Sequence, residues 1–143
     1  EILGTVTNAI TILLLAIVAI SLVVGGVGIM NIMYVIVSER TKEIGIMKAT
    51  GAQNKDILLI FVIESGLLGL VGGAIGIALG IGLSKLVEFA AFEFLGTSLI
   101  QAFFPWYLIL GALLFSFLIG TLSGFFPAKQ AASLKPVDAL RYE

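Results

Sequence analysis

The sequence predicts an all-α integral membrane protein with three transmembrane helices. Three observations predict it. Apolar residues make up 59% of the 143-residue chain and charged residues only 12%, whereas soluble domains carry about 25% charge. Mean hydropathy is +1.17. The apolar residues gather into three long runs separated by short polar stretches, and each run reaches the roughly 20 helical residues that a bilayer core requires.

Composition also excludes. The chain has no cysteine and no histidine, which removes thiolate chemistry, a disulfide frame, and both the usual zinc ligand and the usual general base. No metal site is expected. A formal net charge of -1 argues against nucleic acid as a partner. The chain starts at Glu1 without a methionine and is expected to be a piece of a longer protein. No positively charged leader region is legible in it.

The first run, Ile2 to Val37, carries no charged side chain. It exceeds one span, so its membrane part is set at about residues 12–34. The turns with Thr5, Thr7, Asn8 and Thr11 are expected to project beyond the lipid. Gly25-Gly26-Val27-Gly28 lies within the span, as a thin place for packing or as a hinge. The second run is set at about residues 57–86, with Asn54 as its cap and Asp56 in its first turn. Its middle reads GLLGLVGGAIGIALGIG, with Gly69 and Gly73 four apart, and Gly72, Gly76 and Gly80 likewise. Small residues at this interval let helix backbones approach closely in lipid, so Gly69, Gly73, Gly76 and Gly80 are candidate packing positions, within the chain or across a dimer. The third run is set at about residues 105–126. Pro105 suits a first turn. Trp106 and Tyr107 mark one interface and Phe125-Phe126-Pro127 the other. A polar tail, residues 127–143, follows, and Pro136 is expected to open a last short helix.

Orientation follows from the cations. Arg40, Lys42, Lys48 and Lys55 lie between the first two runs, and Lys129, Lys135 and Arg141 in the tail. The stretch from Val87 to Phe104 has none. By the positive-inside rule residues 38–56 and 127–143 face the cytoplasm. The start of the chain and the second connection then face outward.

The stretch SERTKEIGIMKATGA, Ser38 to Ala52, is the most charged part of the chain. As a short helix it would set an apolar ridge, Ile44 and Met47, beside charged positions. Gly45 and Gly51 would bracket it. Such a helix could dock in a groove on a cytoplasmic partner, or it could be a solvated loop whose cations only fix topology.

Glu64 follows seven apolar residues, from Ile57 to Ile63. A charge at membrane depth is a functional hypothesis by default. Yet Glu64 stands only about two to three turns from the cap. Three readings stay open: a structural acid near the inner surface bonded to a neighbouring helix or a loop cation, a member of a coupling network, or a proton carrier in a small exporter. Asn31 is the other candidate for an intramembrane polar role.

Three separated motifs carry a family resemblance. ERTKEIGIMKATGA followed by DILLIFVIESGLLGLVGGAIGIALG, the opening GGVGIMNIMYV, and the ending GFFPAKQAASLKPVDALRYE together resemble the FtsX-like permease domain of MacB-family (macrolide-exporter-type) ABC transporters. Residues 1–143 would be the C-terminal part of one such domain, its second to fourth transmembrane helices. The resemblance implies that the first helix extends outward as a stalk. It implies that Glu39, Arg40, Thr41, Lys42, Glu43, Ile44, Gly45, Met47 and Lys48 form a coupling helix on an ABC ATP-binding subunit or domain.

The expected function is a permease that couples ATP hydrolysis to movement of an extracytoplasmic domain, for export or extraction of a substrate. The alternative is an FtsX-like mechanotransmission complex that regulates an extracytoplasmic enzyme without transport. No catalytic residue is expected. The chain would bind no cofactor, with ATP and Mg held by the partner. Other expected partners are a second permease copy (homo- or heterodimer), membrane lipid, and a periplasmic or extracellular accessory protein. The expected location is the inner membrane of a prokaryote.

Overall fold

The computed structural model describes residues 2–95 and 102–137. It is an all-α integral membrane fold, and among the described residues four helices follow in the order α1 (Ile2–Glu39), α2 (Thr41–Ala49), α3 (Asn54–Leu95) and α4 (Trp106–Ser133). Three of them, α1, α3 and α4, are long and apolar enough to cross a membrane. At about 1.5 Å per residue, the 38 residues of α1 reach roughly 57 Å. Its hydroxyls are satisfied inside the helix: Thr7 donates to the Leu3 carbonyl, Thr11 to Thr7 and Ser21 to Ile17. Back-bonding of this kind lets a polar side chain sit on a helix without water.

The helices start and stop somewhat differently from the sequence-based expectation. Asn54 is already helical, and the residue before it, Gln53, stands at the cap. Asp56 reaches back to accept the Gln53 N–H at 2.8 Å, the returning half of a capping box. At its far end α3 runs on to Leu95. There Glu88 accepts from Lys85 at 2.8 Å and from the Ala102 N–H at 3.4 Å, which ties the start of the return segment to α3. Pro105 is the cap of α4 and not its first helical residue.

The third apolar run was set at about residues 105–126; helix α4 continues beyond that run, through Pro127, to Ser133. An interior proline removes a hydrogen bond and costs about 3 kcal/mol in an exposed helix. Here the helix buries Gly124, Pro127, Ala128, Ala131 and Ala132 on one stripe. That continuous face offsets the lost bond. Pro136 and Val137 are helical, and the remainder of the short helix expected there lies outside the described residues.

Packing is most extensive between α3 and α4. Their seam is made of small residues. A Cβ on Gly69 would sit 2.5 Å from the Ser116 carbonyl oxygen and 2.9 Å from the Gly120 Cα. A Cβ on Gly66 would meet the Phe117 ring at 2.6 Å, and one on Gly124 would collide with the Ser65 side chain. Ser116 Oγ donates to the Gly69 carbonyl at 2.5 Å, an interhelical bond in the middle of the apolar region.

The sealed core sits at one end of the bundle. Met33 and Val37 of α1, Ile44 of α2, Ile57 and Phe61 of α3, and Ala128, Ala131 and Ala132 of α4 form one buried cluster. Above it α1 parts from its neighbours: residues 2–21 are exposed along their whole length.

Candidate functional site

Helix α2 is positioned by how it begins and ends. A single residue, Arg40, separates it from α1, and Thr41 Oγ1 donates to the carbonyls of Val37 and Ser38 at 3.0 and 2.9 Å. The end is a Schellman motif. The Ala52 N–H bonds the Met47 carbonyl and the Gly51 N–H bonds that of Lys48, with Gly51 at φ 109°. That left-handed turn strains any residue with a Cβ, which is why Thr50-Gly51-Ala52 closes the segment. Met47 and Ala52 both pack on the core, the hydrophobic contact that accompanies this motif.

The apolar ridge faces inward. Ile44 is 0% exposed and joins the shared core, Gly45 is buried, and Met47 is half-buried against the same cluster. The sequence reading offered Ile44 and Met47 to a partner; the structure uses them to hold α2 against the other three helices. Amphipathicity identifies a face that must be covered, but not whether the cover comes from the same chain.

The opposite face is exposed and mixed. Lys42, Glu43, Ile46 and Ala49 lie on it at the three- and four-residue intervals of one helical side, flanked by the exposed Glu39 and Thr50. Ile46 is 50% exposed. It was missed by the sequence reading, although it was legible as the one large apolar residue in an otherwise charged and small stripe.

The two remaining cations are used within the chain. Lys48 Nζ donates to the carbonyls of Ala132 and Leu134, both at 2.6 Å. Arg40 meets Glu64 of α3, with 3.3 Å to one carboxylate oxygen and 3.4 Å to the other. Of the readings open for Glu64, this geometry places it beside a loop cation. The pair is partly solvated, with side chains 49% and 29% exposed, so its net contribution is on the order of 1 kcal/mol or less. Asn31 is exposed on α1.

The glycine positions divide. Gly69 and Gly73 lie against α4, where a Cβ on Gly73 would collide with the Ser116 side chain. Gly76 and Gly80 would meet nothing within 4 Å. Between α1, α3 and α4 opens a cleft of about 520 Å³, whose walls include Ser21, Gly25, Ile29, Gly72, Phe115 and Ile119. Ser21 Oγ and Ser116 Oγ, its side-chain polar groups, are both spent on backbone carbonyls. Among the described residues no group of three or more acidic, His or Cys side chains is placed to hold a metal. Helix α2 thus has one face sealed in the shared core and one face uncovered.

Residues 10–136 match the FtsX-like permease C-terminal family. The chain is 49% identical over 140 residues to an uncharacterized ABC transporter permease of Methanocaldococcus jannaschii, covering 98% of this chain and 35% of that protein. It is 49% identical over 141 residues to the macrolide export ATP-binding/permease protein MacB of Bdellovibrio bacteriovorus, covering 99% of this chain and 21% of that protein. The ABC transporter permease YknZ of Bacillus subtilis is 48% identical over 141 residues, covering 99% and 34%. The chain therefore spans between about a fifth and a third of the length of these relatives. By a match that covers nearly its whole length, and with three apolar helices of spanning length, the chain belongs to the FtsX-like permease family.

Proposed function

We propose that this chain is the membrane-spanning part of an ABC transporter permease in which α2 receives motion from an ATP-binding subunit or domain. Its relatives include ABC transporter permeases and a protein named as both ATP-binding and permease. One observation carries the mechanical part. The inner face of α2 is sealed in a core to which all four helices contribute, while its outer face, with Ile46 at the centre, is uncovered. A push on that face bears on a core that the ends of α1, α3 and α4 share. Helix α1 then carries it along its unpacked length to whatever lies on the outer side, where a substrate is exported or extracted.

ATP and Mg belong to the partner, and a second permease copy completes the assembly. The cation distribution supports a cytoplasmic side for α2 and the end of α4, and the setting proposed for them is the inner membrane of a prokaryote. An accessory protein on the outer side fits the same scheme.

A second reading is favoured by a separate observation. Ser21, Ser65, Ser116 and Thr121 each donate to a carbonyl of the chain, which leaves little free polarity at membrane depth. That favours transmission of movement over passage through a wide polar pore, and a mechanotransmission complex acting on an extracytoplasmic enzyme uses the same parts.

The test is reconstitution of the full-length permease with its ATP-binding subunit in vesicles. Hydrolysis should change when the permease is present, and Ile46→Asp should abolish that change. Equal hydrolysis with and without the permease contradicts the reading.

A further inference from the structure

Lys48 stands in the last turn of α2, and its ammonium holds the carbonyls of Ala132 and Leu134. Both belong to the end of α4, where Leu134 is the cap. The last carbonyls of a helix lack intrahelical donors and carry the negative end of its dipole. A cation there is doubly favoured, and bonds from a charged donor are stronger than neutral ones. Among the described residues no carboxylate is paired with Lys48. Its charge is committed to backbone 84 and 86 residues away.

The backbones of α2 and α4 do not run alongside each other. Ile44 of α2 shares one buried apolar cluster with Ala128, Ala131 and Ala132 of α4, and Met47 packs against that cluster. Apolar contacts resist separation but permit sliding, because dispersion has no direction. Two charged hydrogen bonds of defined geometry fix the register. We infer that Lys48 is a positioning residue that makes α4 follow α2, so that motion delivered to α2 enters the α3–α4 seam as well as the covalently joined α1. This rests on the reading of α2 as the receiver of ATP-driven motion.

The experiment uses the full-length permease assembled with its ATP-binding subunit in vesicles. An environment-sensitive fluorophore is placed on Ala49→Cys in α2 or on Gln130→Cys in α4, both exposed positions. In the otherwise native complex both labels should shift on ATP addition. In Lys48→Met the Ala49 signal should persist and the Gln130 signal should be lost, and Lys48→Arg should restore it. An undiminished Gln130 shift in Lys48→Met overturns the inference. So does joint loss of both signals, the mark of a merely structural residue. If the Ala49 label is silent in the native complex, the reading of α2 as receiver has failed instead. The resting distance between spin labels at the two sites then decides the role of Lys48: broadening in Lys48→Met supports it, and an unchanged distribution overturns it.

Discussion

Gly69 of α3 and Gly120 of α4 meet backbone to backbone. A Cβ on Gly120 would lie 3.0 Å from the Gly69 Cα and 2.5 Å from the Ser65 carbonyl oxygen. Neither obstacle is a flexible side chain, so the helices themselves must part. Gly69→Ala and Gly120→Ala should each destabilise the bundle by about 1–3 kcal/mol, the usual range for overpacking. Gly76→Ala, with open space around it, should leave the chain's own stability intact or raise it slightly, since alanine favours helix. Thermal unfolding in detergent checks the contrast. Equal melting of Gly69→Ala and Gly76→Ala would remove the α3–α4 seam from the account.

The two faces of α2 should respond oppositely to the same substitution. Ile44→Asp places a carboxylate in a sealed apolar cluster and should prevent stable folding. Ile44→Ala should cost about 2–5 kcal/mol. Ile46→Asp adds a charge to a half-exposed position and should leave folding intact while impairing stimulation of the ATP-binding subunit. Size-exclusion profiles and stimulated hydrolysis, measured on the same preparations, separate the two effects. Normal stimulation by well-folded Ile46→Asp would move the docking face elsewhere.

Glu64 and Arg40 form a solvated pair, so losing it should be mild. Glu64→Gln should change stability by about 1 kcal/mol or less and should keep ATP-driven activity in vesicles without a proton gradient. Glu64→Arg opposes two cations, and exchanging both residues, Arg40→Glu with Glu64→Arg, should recover part of the loss. Activity of the native protein that tracks the gradient and vanishes in Glu64→Gln would favour the proton-carrier reading.

Topology is open to direct labelling. Ala52 is half-buried against the core, which makes its exposed neighbour Gln53 the better probe. Gln53→Cys should react with a membrane-impermeant reagent only from the cytoplasmic side. Phe103→Cys, before the start of α4 and 81% exposed, should react only from outside. The reverse pattern would invert the assignment.

The sequence made the membrane part legible because hydropathy and length are properties of single segments. The three long helices, their order and the charged helix between the first two could all be read from it. What it hid depends on partners distant in the chain. Pro127 read as an interface marker before a polar tail, because nothing local shows that Ala128, Ala131 and Ala132 will be buried. Ile44 and Met47 read as a docking ridge, because a face needing cover looks alike whether the cover is internal or external. Lys48 read as a topology-setting cation and a coupling position, since its acceptors lie at the far end of α4. The closing ATGA turn, by contrast, carried its own signal in Gly51.

Crosslinking from the outer face of α2 tests the central claim most directly. With Ile46→Cys in the full-length permease and a bifunctional reagent of short reach, the account predicts a covalent adduct to the ATP-binding subunit or domain in at least one nucleotide state of the hydrolysis cycle. Absence of that adduct in every state, while the two remain co-assembled and active, would contradict it.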